Sequence, residues 1–156
     1  MSQACSIVGV VWSLEDLSCA DVELADIIEM RLDLLSVPLG RMLDAVMSLG
    51  KPLIATCRPR VEGGGFSGSE PERERLLCEA MEHVDMVDVE LAAKRTREHV
   101  IAHAKDMGVE VIVSHHDFAA TPPLPELLEV FASELDSGAH IAKVAVMPSN
   151  KRDTLV

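Results

Sequence analysis

The sequence predicts an α/β fold built on a parallel sheet. Short apolar segments rich in valine and isoleucine alternate along the 156 residues with longer segments in which apolar residues recur three or four positions apart. The first pattern is typical of strands buried on both faces, and the second of helices with one apolar side. Because each parallel crossover needs its own connecting segment, the alternation favours a parallel sheet covered by helices.

Six strands and five helices are predicted in strict alternation. The strands are expected at 6–11, 26–31, 52–57, 86–90, 110–114 and 141–146. The helices are expected at 14–24, 39–49, 72–83, 96–107 and 125–137. Gly50 and Gly108 follow two of these helices, where a left-handed C-cap favours glycine, and Ser69 with Pro71 marks a helix start.

The chain length leaves two arrangements of these elements open. A (β/α)8 barrel takes roughly 250 residues, or about 31 for each βα unit, so this chain holds about five units. The elements therefore form either a complete open sheet or an incomplete barrel. With 48% hydrophobic residues and no internal linker, we expect one domain over residues 1–156.

The charge balance argues against nucleic acid and anionic membranes as partners. Lysine and arginine number 14 against 26 aspartate and glutamate residues, a formal net charge of -12, and such a surface repels phosphate groups. The 4 cysteines lack CxxC spacing and the density of a secreted disulfide scaffold, which predicts a reducing cytoplasm. Neither a secretion signal nor an apolar run of about 20 residues is evident.

Ionisable side chains are found where the predicted strands end. They lie at 29–33, 58–63, 88–90 and 114–117, and Lys143 lies within the last strand. In parallel α/β folds ligands bind at the carboxyl ends of the strands, so this repeated position predicts a catalytic site. Each cluster taken singly could instead reflect a strand end that meets solvent.

Lys143 stands out because strand alternation places it on the same face as Ile141, Ala145 and Met147. We therefore expect its amine to be buried among apolar side chains. Such burial disfavours the ammonium form and leaves a lone pair that can attack a carbonyl carbon and form a Schiff base. The alternatives are a lysine that extends to solvent or one that pairs with Glu90.

His115 and His116 point to opposite faces of the strand if it continues through them, so only one can face a common site. An imidazole beside a Schiff-base lysine can transfer protons near neutral pH, and a carboxylate such as Glu62 could orient it.

Two further patterns have simpler interpretations. Gly63, Gly65 and Gly68 match the GxGxxG pattern of dinucleotide-binding proteins. However, the next helix begins with Glu70 and Glu72, whose charges would repel a pyrophosphate. A loop that covers a pocket is therefore the favoured interpretation. His99 and His103 are four residues apart and could share a metal ion. A third ligand at suitable spacing is missing, which favours an exposed helix face.

Taken together, these segments resemble the type I 3-dehydroquinate dehydratases of the shikimate pathway. The matching segments, in the order of the family, are IIEMRLD at 27–33, PLIATCRPRVEGG at 52–64, VDVEL at 87–91, SHHDFAATP at 114–122 and IAKVAVMPSNKRD at 141–153.

The resemblance implies a (β/α)8 barrel that dehydrates 3-dehydroquinate to 3-dehydroshikimate without a cofactor or metal ion, as a homodimer. It implies that Lys143 forms an imine with the substrate ketone, that His116 is the general acid and base, and that Glu62 orients His116. The positions that match substrate-binding residues of the family are Glu29, Arg31 and Arg58.

The sequence departs from the family after the sixth strand, where two further βα units are expected. We therefore expect an incomplete barrel, truncated at its C-terminus, with the first and sixth strands as unpaired edges. Two alternatives remain open for the function: another lysine-imine enzyme such as a class I aldolase, and an inactive barrel that acts as an interaction protein.

Overall fold

Six parallel strands alternate with five α-helices in the computed structural model, which describes residues 5–155. The strands are β1 (Val8–Val11), β2 (Ile27–Arg31), β3 (Leu53–Thr56), β4 (Met86–Glu90), β5 (Glu110–Asp117) and β6 (Ile141–Val146). The helices are α1 (Ala20–Leu24), α2 (Leu39–Met47), α3 (Glu70–Ala80), α4 (Lys94–Met107) and α5 (Leu124–Asp136). The predicted elements are confirmed in kind and order. Residues 1–4 and 156 of the expected domain lie outside the described residues.

Most elements differ from the prediction by one to three residues at an end, and two differences bear on the site or have a clear physical cause. Strand β5 continues to Asp117, which carries the strand through both histidines. The first helix is only Ala20–Leu24 and is preceded by a 3-10 turn at Asp16–Ser18. The Asp16 carboxylate accepts hydrogen bonds of 2.9 Å from the backbone amides of Trp12 and Ser13. This local bonding competes with helix formation and explains why the helix begins late.

The strand order decides between an open sheet and a barrel. The order is β1-β2-β3-β4-β5-β6, and every neighbouring pair is parallel. Right-handed crossovers that always advance in one direction place all the helices on the same face of the sheet, whereas a doubly wound sheet reverses direction and is covered on both faces. The fold is therefore an incomplete barrel. Within residues 5–155, β1 and β6 each pair on one side only, as expected.

The convex face of the sheet carries the main hydrophobic core. Met30, Ala55, Val89 and Val113 are fully buried there and belong to the same cluster as residues of the helices. The helix residues of this cluster that are also fully buried are Met42, Val46, Leu77, Ala80, Val100 and Ala104. The helices thus hold the outer face of each strand, and alternate residues are directed to the inner face.

Between β2 and β5, the concave face is apolar only at its base. Ile54, Met86 and Ile112 form a small buried cluster there, with Ile27 packed against it. Two residues further along each strand, the same face carries polar and charged side chains. This arrangement places the ionisable groups together above an apolar floor.

Helix ends follow the signals in the sequence. Ser69 and Glu72 form a capping box at the start of α3, and Gly108 ends α4 with φ +72°. Gly50 also has positive φ, but it lies two residues after the C-cap of α2, Ser48. Across residues 5–155, none of the helices combines the length and the apolar character needed to cross a membrane.

Glu134 is an unusual buried group on α5. It is 0% exposed, and neither of its carboxyl oxygens has a hydrogen-bond partner among the described residues. Burial raises its pKa from 4.5 to about 7. A carboxyl group removed from water without a partner favours its protonated form, so its ionisation opposes folding.

We predict that Glu134→Met stabilises the protein, and more so at alkaline pH. Because the pKa is raised in the folded state, the protonated carboxyl supports folding fully below pH 4.5, and this support is lost as the pH rises through about 7. At pH 8 the variant should gain about 2 kcal/mol in free energy of unfolding, and clearly less at pH 5. Urea unfolding at both pH values measures the difference, with Glu129→Met on the exposed side of the same helix as control. An equal gain at the two pH values would contradict the assignment.

Candidate active site

The ionisable side chains of five neighbouring strands meet on the concave face, at the carboxyl ends of the strands. Alternation and register place every second residue of each strand on this face. The polar residues so placed at this end are Glu29 and Arg31 of β2, Thr56 of β3 and Arg58 just after it, Asp88 and Glu90 of β4, Ser114 and His116 of β5, and Lys143 of β6. Of the six residues that the sequence predicts as site residues, five are in this group. The sixth, Glu62, lies in the loop that follows β3.

Asp88 is the centre of this group. Its carboxylate is fully buried and lies 2.9 Å from Arg58 Nη2 and 2.9 Å from Lys143 Nζ. It also accepts a 2.6 Å hydrogen bond from the Ser114 hydroxyl. Burial by itself would raise the pKa of Asp88, but the charges of Arg58 and Lys143 and the hydrogen bonds lower it below its usual value. Asp88 is therefore an anion that holds two cations from strands on either side.

The surroundings of Lys143 differ from the expectation. The prediction that its amine is buried among apolar side chains is wrong: the side chain is 35% exposed, and Nζ lies 2.9 Å from Asp88 and 3.7 Å from Glu29. The alternative of a pair with Glu90 is also wrong. The reason is that the apolar neighbours on β6 lie along the strand, whereas the amine extends across the concave face towards the strands opposite, whose side chains are acidic.

Arg58 is held by three groups at once. Its Nη1 donates 2.7 Å hydrogen bonds to Glu90 Oε1 and to the Ser114 hydroxyl, and its Nη2 contacts Asp88. Burial alone would lower the pKa of the guanidinium, but the carboxylates around it raise the pKa above its usual value. Only 4% of the residue is exposed, so its charge acts on the site from a fixed position.

Asp33 joins the end of β2 to the glycine-rich loop. Its carboxylate accepts 2.9 and 2.7 Å hydrogen bonds from Arg31 in a forked pair, and further bonds from the backbone amides of Arg58 and Gly65. Burial would raise the pKa of Asp33, but the Arg31 guanidinium and these amides lower it. Arg31 thereby faces the site from a defined direction.

The dinucleotide pattern at 63–68 has a structural explanation. The backbone amides of residues 63–66 are all bonded within the protein, to carbonyl groups or to Asp33. Gly63 has φ +76°, and a Cβ on Gly64 would overlap the carbonyl of Arg58. The glycines allow the loop to pack closely on the segment that follows β3, and the amides of residues 63–66 are not available to bind a pyrophosphate.

This loop brings Glu62 to His116. Glu62 ends a 3-10 turn at Arg60–Glu62, and its Oε2 lies 3.1 Å from Nδ1 of His116. The imidazole stacks on Phe118, with ring centroids 6.2 Å apart. His115 registers with Val144 on the opposite face of the sheet, as alternation predicts. His116 registers with Ala145, two residues from Lys143, so the imidazole and the amine share one face of neighbouring strands.

The histidines of α4 do not form a metal site. His99 bonds to Glu74 of α3 through Nδ1 at 3.0 Å. Within the described part of the chain, no cluster of three or more histidine, cysteine or acidic side chains could hold a metal ion.

Sequence reasoning missed three members of the site as functional residues. Asp88 was noted only as part of a polar strand end, Glu90 also as an alternative partner of Lys143, and Ser114 only as the start of a histidine cluster. The signal that could have identified them is that each follows directly on apolar strand residues, which the structure shows to be buried. A buried charge requires a partner, and a partner on the next strand is the nearest choice.

Comparisons with known proteins agree with this geometry. The family model described as "Type I 3-dehydroquinase" matches residues 11–156. The 3-dehydroquinate dehydratase of Methanothermobacter thermautotrophicus is 47% identical over 135 residues, which cover 85% of this chain and 58% of the relative. This chain thus spans less than two thirds of the length of that relative.

Solved structures show the same similarity. The 3-dehydroquinate dehydratase of Aquifex aeolicus superimposes with a TM-score of 0.83 at 29% identity, covering 96% of this chain and 70% of that one. The type I enzyme of Clostridium difficile gives 0.82 at 28% identity, covering 99% and 68%. An archaeal fructose 1,6-bisphosphate aldolase, with a TM-score of 0.51 at 18% identity, shares the fold alone. The family match and the identities together show that this chain belongs to the type I 3-dehydroquinase family.

Proposed function

We propose that the protein dehydrates 3-dehydroquinate to 3-dehydroshikimate through an imine on Lys143. The observation that carries the proposal is the position of an amine, an oriented imidazole and two guanidinium groups on one concave face, in a chain of this family. Relatives of the chain are named 3-dehydroquinate dehydratases, and the substrate is taken from them.

Lys143 supplies the nucleophile in this proposal. The amine lies 2.9 Å from Asp88 Oδ2, and Nζ attacks in its neutral form, so we assign the transfer of its proton to His116, which lies on the same face. Attack on the ketone carbon gives a carbinolamine, and loss of its hydroxyl as water gives a cationic imine. His116 then removes a proton from the adjacent carbon, the imine accepts the electron pair that remains, and an enamine results.

His116 transfers the protons of the later steps. The enamine returns its electron pair and expels the β-hydroxyl group, which leaves as water after His116 donates a proton to it. Hydrolysis of the remaining imine releases the product and restores the amine. Glu62 supports this role because a carboxylate at Nδ1 fixes the ring orientation and directs Nε2 to the substrate.

The binding of a hydroxylated carboxylic acid is assigned to three residues. Arg31 is the more accessible of the two arginines, with 20% of its side chain exposed. Its charge suits a carboxylate or hydroxyl group. Arg58 is enclosed, so it acts mainly through its charge and through Asp88. Glu29 lies 3.7 Å from Lys143 Nζ and can accept a hydrogen bond from a substrate hydroxyl. The homodimer and the cytoplasmic location expected from the sequence stay predictions.

We predict that borohydride reduction in the presence of 3-dehydroquinate fixes one substrate on Lys143. Reduction converts the imine to a stable secondary amine, which mass spectrometry of the intact protein and its peptides detects. Lys143→Met should abolish the adduct, and Lys105→Met, which removes an exposed lysine of α4, should retain it. A folded protein that gives no adduct, or one that is modified at another lysine, would contradict the proposal. An adduct with an aldolase substrate that 3-dehydroquinate does not displace would favour another lysine-imine reaction.

We predict that Glu62→Gln slows turnover by about tenfold to a hundredfold while the Lys143 adduct still forms. The amide keeps the size of the side chain, but it removes the charge that orients His116, and loss of such an orienting partner typically costs this much. The rate is followed by the near-ultraviolet absorbance of the conjugated product. Glu82→Gln, an exposed site, is the control. Equal rates for the parent protein and Glu62→Gln would show that the carboxylate does not act on His116.

A further inference from the structure

Arg73 of α3 is a fully buried cation that the proposed mechanism does not use. Its Nη1 donates a 3.2 Å hydrogen bond to the carbonyl of Cys57 and a second bond to Glu90 Oε2. Its Nε and Nη2 donate 3.1 and 2.7 Å bonds to the two carboxyl oxygens of Glu70. Burial alone would lower the pKa of Arg73, but Glu70 and Glu90 raise it above its usual value.

The position of this guanidinium is informative because it contacts groups that adjoin the two ends of Arg58. Cys57 directly precedes Arg58, so its carbonyl belongs to the backbone from which the Arg58 side chain extends. Glu90 uses its two oxygens separately, Oε2 for Arg73 and Oε1 for Arg58 Nη1. Arg73 therefore holds the backbone at the base of Arg58 and the carboxylate at its tip.

The ion pairs continue in both directions from this point. Towards the site, Arg58 contacts Asp88, and Asp88 contacts Lys143. Towards the surface, Glu70 has 53% of its side chain exposed and also accepts a 2.8 Å bond from the Thr96 hydroxyl of α4. The charges alternate along this line, which links two surface helices to the amine on β6.

A merely structural role explains this arrangement poorly. A buried ion pair gains little stability over apolar residues of the same size, because removing both charges from water offsets their attraction. The remaining face of α3 is packed by Leu77 and Ala80, which are fully buried without any polar contact. An arginine at this place instead provides several directional bonds to fixed groups.

We propose that Arg73 is a positioning residue, which fixes Arg58 for substrate binding through Cys57 and Glu90, with Glu70 holding Arg73 from outside. As a statement about substrate binding, this rests on the proposed function. Arg73 touches no group that reacts, so its effect should be on affinity, and the chemistry at Lys143 should be retained.

The test compares Arg73→Lys with a control on the same helix, Arg75→Lys, whose side chain is exposed. Lysine keeps the charge but cannot contact Cys57, Glu90 and Glu70 together. We expect the 3-dehydroquinate concentration that gives half-maximal borohydride trapping to rise about tenfold, with maximal trapping within about twofold. Arg75→Lys should change neither value. Since Arg73→Lys could unfold the chain, Glu70→Gln provides a milder variant, with an expected rise of about threefold.

A double-mutant cycle separates positioning from general stability. If Arg73 acts through Arg58, then adding Arg73→Lys to Arg58→Lys should raise the half-maximal concentration no further than Arg58→Lys alone. Independent, multiplying effects of the two substitutions would overturn the proposal. So would an unchanged half-maximal concentration in folded Arg73→Lys, or in Glu70→Gln if Arg73→Lys does not fold.

A second measurement does not depend on the reaction. In protein with ¹⁵N-labelled arginine, the Nε–H resonance of Arg58 should shift or broaden in Arg73→Lys and Glu70→Gln and stay unchanged in Arg75→Lys. If the parent protein traps no substrate, the proposed function fails, and the Arg58 resonance still decides whether Arg73 positions that residue. An Arg58 resonance unaffected by both variants would overturn the positioning role.

Discussion

The arrangement of the site depends on one constraint: the buried carboxylate of Asp88 must be neutralised. Water cannot reach it, so its charge is tolerated only because Arg58, Lys143 and the Ser114 hydroxyl surround it. These partners come from β3, β6 and β5, and each must therefore lie within bonding distance of β4. The ion pairs fix the relative positions of these groups. Of the two cations, Lys143 is more exposed than Arg58.

This constraint is compatible with folding because the hydrophobic core lies on the convex face of the sheet and the charged groups lie on the concave face. The convex face buries valine, isoleucine and methionine against the helices, which supplies the favourable term in folding. The concave face has only a small apolar base, and above it nearly every side chain is charged or hydroxylated. A barrel with helices on one face can carry a polar interior in this way, since its hydrophobic core does not depend on the inner residues.

Interactions between residues close in the sequence are predictable from it, and those between distant residues are largely not. Strands and helices were predicted well because alternation and helical periodicity are local, and the capping box of Ser69 is local too. The late start of α1 was missed because the Asp16 carboxylate bonds to the backbone of Trp12 and Ser13, a choice that periodicity does not reveal. The contact between Glu62 and His116 was anticipated as a possibility, and the surroundings of Lys143 were not. The contact between Glu62 and His116 involves a single carboxylate and a single imidazole. The surroundings of Lys143 depend on side chains of several strands that are distant in the sequence.

The sequence by itself determined the class of fold, the order of its elements, the face on which each strand residue lies and the family resemblance. These features follow from side-chain spacing and motif order, which depend only on the linear sequence. Tertiary structure alone decided that Lys143 meets Asp88 and Glu29, that Arg58 is enclosed, and that Arg73 contacts the Cys57 carbonyl and Glu90 on either side of Arg58. The physical reason is that ion pairs select partners by distance and burial, and both depend on how strands far apart in the sequence are brought side by side.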